Sequence, residues 1–194
     1  NYYKENEKFN KQYGVVTCYK CSSMFVNPTP NLEALDYYYN NCECNRQWSK
    51  LLKERAGKKG VILSDKLTSS LNLIDQLLKV KSEIRVLEVG SNSGEFLHEL
   101  NQALIEKGCS NKVSLIGIDI NESVVKKSVY KDISLFHSSA EAFVGKSEQS
   151  FDLILHFELI EHLNNPFEFC CALYKLLNDE GLMYFHTPNA LGLD

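Results

Sequence analysis

The stretch "VLEVGSNSGEFL", Val86 to Leu97, decides the fold of this chain. Its apolar start predicts a buried strand, its small residues predict a tight turn, and its end predicts the start of a helix. Gly90 permits a sharp turn, Gly94 permits close approach at the helix start, and Asn92 tolerates positive φ. Backbone N–H groups at such a helix start favour a negatively charged ligand group. The stretch therefore predicts a cofactor site, with a strand–helix turn that holds no ligand as the simpler alternative.

The spacing of the glycines bears on which cofactor the loop holds. Gly90 and Gly94 form G-x-x-x-G, and the third glycine of a dinucleotide loop is absent at Ser93 and at Phe96. An acid, Glu88, stands two residues before the first glycine. An acid at this place suits a cofactor with a positive centre and an ammonium group better than it suits a pyrophosphate.

Composition limits the possible classes of protein. The chain has 194 residues, 44% of them hydrophobic and 24% charged, as in a soluble globular protein of one domain with a small appendage. A formal net charge of −4 argues against general nucleic-acid binding. The sequence has no apolar run long enough for a membrane helix and no signal-peptide pattern. Seven cysteines, an odd number, then predict a reducing cytoplasm. Because residue 1 is Asn, we expect a trimmed chain.

Strand-like and helix-like segments alternate from about residue 81 to residue 194. This order predicts an α/β fold, a Rossmann-like parallel sheet with helices on both faces. Asn121 is the expected N-cap of a short helix, and Gly181 is the expected end of the last helix. The expected strands are 84–90, 112–120, 132–138, 151–158 and 182–189.

Two smaller zones precede this core. Residues 1–30 carry Cys18 and Cys21, and residues 31–80 have helical periodicity. Within the helical zone, Ser64 or Asp65 is the expected cap of a helix that continues to about residue 80, and residues 56–60 are the expected loop before it.

Polar side chains follow the expected strands at the edge where ligands bind in parallel sheets. Asp119 ends the second strand, where a carboxylate binds a ribose diol, and Ala140 and Glu141 follow the third, where they can lie against an adenine. The fourth strand is followed by Glu158, Glu161 and His162, which would share a face on one helical turn. His156 and His186 lie at the same edge.

These segments together resemble class I methyltransferases that use S-adenosylmethionine, in the branch of ubiquinone-biosynthesis O-methyltransferases and sugar-modifying methyltransferases. The resemblance covers roughly residues 82–190 and rests on the order of "VLEVGSNSGEFL", "IGIDI", "SSAEAF", the "EHL" segment and "TPN". The family usually has glycine where this chain has Asn92. The family's sheet has seven strands and five are visible, so we expect the fold to be incomplete at its C-terminal end.

The resemblance implies roles for matching residues. Glu88 and the loop Gly90, Ser91, Asn92 and Gly94 would hold the methionine part of the cofactor. Asp119 would bind the ribose and Ile120 would pack on the adenine. Ala140 and Glu141 would flank the adenine edge, and His156 and Phe157 would line the cofactor near its sulfonium.

The segment "VTCYKCSSMFVNPTP", residues 16–30, resembles the zinc-binding head that precedes some sugar-type methyltransferases. The resemblance implies that Cys18 and Cys21 are zinc ligands, whereas the alternative is a pair of half-buried thiols. A structural zinc site needs four ligands. The missing pair would precede Asn1, or would be Cys42 and Cys44, although a C-x-C pair fits less well.

We therefore expect an S-adenosylmethionine-dependent enzyme that methylates an oxygen or carbon nucleophile of a small molecule, with a sugar or nucleotide-sugar as the expected acceptor. Glu161 and His162 are the candidate bases. One alternative is an RNA ribose methyltransferase with a metal at Glu158, Glu161 and His162, and another is a structural turn at these residues. Two further alternatives are a nicotinamide-dependent oxidoreductase and a non-catalytic scaffold.

Overall fold

The computed structural model describes residues 14–41, 61–146 and 150–189. Contacts between residues divide the chain into two compact units, Asn1–Trp48 and Ser49–Asp194. In the first unit, strand β1 (Gly14–Thr17) pairs antiparallel with strand β2 (Met24–Asn27), and helix α1 (Leu32–Asn41) follows.

The second unit is built on a parallel sheet. Within the described residues, this sheet contains β3 (Ile84–Val89), β4 (Val113–Asp119), β5 (Ser134–His137), β6 (Phe151–Phe157) and β7 (Leu177–His186). Their order is β5-β4-β3-β6-β7, and every neighbouring pair is parallel. The chain leaves β3 toward one side and returns to its other side at β6. A ligand crevice is expected at the carboxyl ends of the strands next to this switch.

Helices cover both faces of the sheet. They are α2 (Val61–Leu77), α3 (Glu95–Glu106), α4 (Glu122–Lys126), α5 (Ala140–Val144) and α6 (Pro166–Leu176). One apolar cluster joins α2 and α3 to the sheet, and a second joins α5 and α6 to it. The central strands are apolar on both faces because each face is covered. The predicted Rossmann-like fold is confirmed.

The last helix and strand differ from the prediction. Helix α6 ends at Leu176 and β7 follows at once, so Gly181 lies inside a strand and not at a helix end. The partner residues in β7 jump from Leu177 to Leu182 across two positions of β6. A Cβ at position 181 would lie 2.9 Å from the backbone oxygen of Asn178, which only glycine avoids. The residues between Leu177 and Leu182 therefore form a bulge that separates α6 from the regular part of β7.

The two predicted helix caps have different outcomes. The side chain of Asn121 accepts hydrogen bonds from the N–H groups of Ser123 and Val124, so its prediction as an N-cap is confirmed. Helix α2 already begins at Val61, so Ser64 and Asp65 lie inside it and the predicted cap is wrong. The expected loop 56–60 lies outside the described residues. Among the helices described, none has both the length and the apolar character needed to cross a membrane.

A buried carboxylate fastens the amino edge of the sheet. Asp152, at the start of β6, accepts hydrogen bonds from the Lys81 ammonium (2.6 Å), the Arg85 N–H (2.8 Å) and the Asn178 amide (2.7 Å). Burial raises the pKa of Asp152, but these donors outweigh burial and hold the pKa below its ordinary value. The carboxylate therefore joins three separate segments of the chain at the edge opposite the predicted site.

Candidate cofactor-binding site

The loop after β3 makes the turn that its sequence predicts. Gly90, Asn92 and Gly94 have φ values of 76°, 51° and 87°. The N–H groups of Gly90 and Ser91 both donate to the backbone oxygen of Ile118, at 2.9 and 3.1 Å. Asn92 thus adopts the left-handed conformation in which glycine is more common. The loop is held against the end of β4.

Asp119 connects this loop to the end of β4. One carboxylate oxygen accepts the Asn92 N–H at 2.9 Å and the other accepts the Asn121 N–H at 2.8 Å. Burial raises the pKa of Asp119, and these two hydrogen bonds oppose the rise. A carboxylate has about four acceptor positions, so Asp119 keeps room for two ribose hydroxyls.

Gly117 is a site residue that the sequence analysis missed. A Cβ there would lie 2.5 Å from Cδ2 of Leu135 and 2.6 Å from Oγ of Ser91. Only glycine therefore lets the side chain of Ser91, 3% exposed, pack against β4. The available signal was a glycine inside an otherwise apolar strand, which marks close approach of another group.

Glu88 is the most unusual polar residue of the site. It is 4% exposed, and its Oε2 atom has no hydrogen-bond partner among the described residues. Burial raises its pKa to about 8, the negative charges of Glu95 and Asp119 add to the rise, and Lys66 opposes it. A buried carboxyl oxygen without a partner is costly, which makes a cationic ligand group its natural complement.

Lys66 is a second residue that the sequence analysis missed. It projects from α2, with its side chain only 13% exposed, and its ammonium lies 3.1 Å from Oε1 of Glu158. The same ammonium lies 5.1 Å from the centre of the Phe157 ring. The Phe157 ring packs edge-on against Phe96 at 4.8 Å. No motif surrounds Lys66, so only the folded chain brings it to the site.

The residues predicted to flank an adenine separate into two groups. Ile120 is 53% exposed just beyond β4, and Glu141 is exposed in the first turn of α5. Ala140 is 2% exposed and belongs to the core beneath them. Ile120 and Glu141 thus offer accessible surface at this edge, whereas Ala140 supports it from below.

His156 does not reach the surface where the resemblance placed it. It is fully buried, stacked on Phe185 at 4.9 Å and edge-on to Phe169 at 5.4 Å. Neither ring nitrogen has a partner within the described part of the chain. Burial lowers its pKa to about 4, and the charge of Glu161 opposes this shift. Strand alternation explains the difference, since Phe157 points to the opposite face.

The acidic segment after β6 does not form the helical turn that was expected. Glu158 has φ 50°, and a short 3-10 helix covers only Ile160–His162, so Glu158 shares no helical face with the other two. Across the described ranges, no group of three or more His, Cys, Asp or Glu side chains is arranged to hold a metal. This contradicts the metal site proposed for Glu158, Glu161 and His162.

Glu161 and His162 nevertheless lie at the carboxyl edge. The Thr187 hydroxyl donates to Oε2 of Glu161 at 3.0 Å. The other oxygen of Glu161 lies 3.8 Å from Nε2 of His162, too far for a hydrogen bond. Thr187 therefore orients Glu161 toward His162, and the catalytic roles of both remain predictions.

Cys18 and Cys21 lie in the turn between β1 and β2. The Cys18 N–H donates to the Ser23 oxygen at 2.8 Å, and the Ser22 N–H donates to the Cys18 oxygen at 2.9 Å. Hydrogen bonding between Cys21 and Ser23 lowers the pKa of the Cys21 thiol. Two thiols supply half of a structural zinc site, and the other candidates, Cys42 and Cys44, lie outside the described residues.

Comparison with known proteins identifies the family. A family model described as a methyltransferase domain matches residues 46–193, so the chain belongs to this family. The ubiquinone biosynthesis O-methyltransferase of Pelagibacter ubique is 27% identical over 136 residues, 68% of this chain and 50% of that protein. The enzyme of the same name from Dinoroseobacter shibae is 30% identical over 55% of this chain and 42% of its own length. The chain thus spans about half the length of these relatives.

Solved structures have the same fold. The plantazolicin methyltransferase BamL, in complex with a triazolic desmethylPZN analogue and SAH, is 19% identical with a TM-score of 0.60, over 78% of this chain and 54% of its own. A TehB-like SAM-dependent methyltransferase from Corynebacterium glutamicum is 14% identical with a TM-score of 0.54, over 72% and 70%. The expected class I methyltransferase fold is confirmed.

Proposed function

We propose that this chain binds S-adenosylmethionine at the carboxyl edge of the sheet and transfers its methyl group to a small-molecule acceptor. The observation that carries the proposal is the buried carboxyl of Glu88, whose Oε2 atom has no hydrogen-bond partner among the described residues, beside a loop of positive φ. A cofactor with an ammonium group would place a positive charge and hydrogen-bond donors next to the Glu88 carboxyl. A pyrophosphate would add negative charge next to Glu88, Glu95 and Asp119.

The residues fit the parts of the cofactor as follows. Glu88 and the loop from Gly90 to Gly94 would hold the amino-acid part. Lys66, whose ammonium also lies 3.1 Å from Oε1 of Glu158, is the cation proposed for its carboxylate. Asp119 accepts the ribose hydroxyls. The exposed side chain of Ile120 would pack on the adenine, and Glu141 would flank its edge.

Methyl transfer from a sulfonium requires little covalent chemistry from the protein. The bound sulfonium supplies an activated methyl group, and the chain aligns the acceptor in line with it and excludes water. Phe157 contributes an apolar, half-buried surface next to the Lys66 ammonium. Glu161, oriented by Thr187, and His162 are the groups proposed to accept a proton from the acceptor.

The acceptor is proposed at the level of chemical class. The names of the relatives favour an oxygen nucleophile, and a sugar or nucleotide-sugar remains the acceptor predicted from the sequence. Assays of methyl transfer to a panel of nucleotide-sugars and of catechols would separate these acceptors. Zinc at Cys18 and Cys21, and a cytoplasmic location, also remain predictions, and metal analysis of the purified chain tests the first.

Calorimetric titration with S-adenosylhomocysteine tests the central proposal. We expect saturable binding to the wild type and at least a tenfold weaker affinity for Asp119→Ala, because the ribose loses its acceptor. Glu106→Gln, an exposed change at the far end of α3, is the matched control and should bind normally. NADH should not protect the chain from heat. A folded wild type that binds NADH but no S-adenosylhomocysteine would overturn the proposal.

A further inference from the structure

The Glu88 carboxyl carries an inference beyond cofactor binding itself. We propose that binding of the cofactor's ammonium group is coupled to release of one proton from Glu88, so that Glu88 discriminates ligands that carry this group from ligands that lack it. The inference rests on the proposed function. It concerns how the protonation state of Glu88 responds to the amino-acid end of the ligand.

The surroundings of Glu88 offer a carboxylate little stabilisation. The side chain is 4% exposed and Oε2 has no hydrogen-bond partner among the described residues. At the same level of the sheet, its neighbours are Gly117 on β4 and Leu155 on β6, which carry no charge. A carboxylate with a buried oxygen that accepts no hydrogen bond is poorly stabilised, whereas a neutral carboxylic acid is tolerated.

The charged groups that act on Glu88 reinforce this preference. Glu95 at the start of α3 and Asp119 at the end of β4 both disfavour a further negative charge. Lys66 of α2 is the one cation among the groups that shift Glu88, and its ammonium is paired with Glu158 at 3.1 Å. Burial and the two acidic neighbours together outweigh Lys66 and raise the pKa of Glu88 to about 8.

An ammonium group next to Glu88 reverses this balance. It supplies both a charge and N–H donors, which favour the carboxylate and lower its pKa. The O–H bond of the carboxylic acid breaks, the electron pair stays on the carboxylate, and the proton passes to solvent. Binding then strengthens as pH rises toward 8, because the empty site has fewer protons to lose.

The experiment measures protons directly. Calorimetric titrations of the whole chain at pH 7.0, in buffers of different ionisation enthalpy, give the number of protons released on binding. S-adenosylhomocysteine should release about 0.9 proton at pH 7.0 and about half a proton at pH 8.0, and its affinity should rise about tenfold from pH 6.0 to 7.0. Methylthioadenosine has the same nucleoside but no amino-acid part, so it should bind without releasing a proton.

Two variants assign the proton to a residue. Glu88→Gln keeps the shape of the side chain but has no proton to release, so S-adenosylhomocysteine should bind it with no release and with an affinity independent of pH between 6.0 and 8.0. Glu95→Gln removes a neighbouring negative charge but keeps the Glu88 carboxyl. It should therefore still release a proton when S-adenosylhomocysteine binds at pH 6.0. Circular dichroism verifies that both are folded.

The outcomes separate the two proposals. Release that persists in Glu88→Gln, or equal release with methylthioadenosine, overturns the inference. Binding of S-adenosylhomocysteine to the wild type without proton release also overturns it and leaves the proposed function intact. Absence of S-adenosylhomocysteine binding by the folded wild type overturns the proposed function and the inference together.

Discussion

Replacing Glu88 by Gln is expected to stabilise the ligand-free chain at neutral pH. The pKa of Glu88 is about 8 in the folded chain against an ordinary 4.5. A carboxyl with a raised pKa contributes stability that is complete below 4.5 and is lost as pH rises through 8. Between these two pKa values the unfolded chain gives up the Glu88 proton while the folded chain keeps it. At about 1.4 kcal/mol per pKa unit, this difference lowers the stability of the fold by about 2–3 kcal/mol from pH 5.0 to pH 7.0.

Urea unfolding followed by circular dichroism measures this cost. The stability of Glu88→Gln minus that of the wild type should rise by about 2–3 kcal/mol from pH 5.0 to pH 7.0. Taking the difference cancels the titration of other groups. Glu106→Gln, on the exposed end of α3, is the control and should follow the wild type. If the unfolding free energies of Glu88→Gln and of the wild type change equally between pH 5.0 and pH 7.0, the reasoning about the burial of Glu88 is refuted.

Three further substitutions test other parts of the structure. Burial lowers the pKa of His156 from 6.5 to about 4 in the fold. The free energy of unfolding of the wild type should therefore fall by about 2 kcal/mol as pH drops from 7.5 to 5.0. In urea titrations, the difference in this free energy between the wild type and His156→Leu should change by the same amount. Gly117→Ala should lower stability by about 1–3 kcal/mol, because its Cβ would lie 2.5 Å from Leu135 and the methyl group would displace Ser91; S-adenosylhomocysteine affinity should fall with it. Asp152→Ala should lower the free energy of unfolding by about 3 kcal/mol, because three donors lose their acceptor. Its affinity for S-adenosylhomocysteine should stay unchanged. A weaker affinity would contradict the separation of the amino edge from the ligand edge.

Sequence periodicity and turn chemistry are sufficient to predict the sheet and the cofactor loop. The order of strands and helices follows from local apolar patterns, and the turn at Gly90, Asn92 and Gly94 follows from residues that tolerate positive φ. The position of Glu88 two residues before Gly90 placed an acid at the end of β3. These features depend on neighbours in sequence, which is why they are visible without the structure.

Features that depend on distant residues were missed or misplaced. Lys66 meets Glu158 across 92 positions of the chain, and no local pattern indicates that pairing. The family resemblance placed His156 beside the cofactor, but the alternation of the strand turns it into the core beside Phe185. Gly181 resembles a helix end in sequence, and only the pairing of β7 with β6 shows that it relieves a close contact inside the strand.

The position of Asp152 has a consequence for how this fold can change. Its three hydrogen bonds tie Lys81 before β3, Arg85 at the start of β3 and Asn178 of β7 to β6 at the amino edge, away from the loops at the carboxyl edge. The loops at the carboxyl edge can therefore change their conformation without breaking the hydrogen bonds of Asp152. The stability of the sheet and the shape of the ligand edge can therefore be engineered separately, one at each end of the strands.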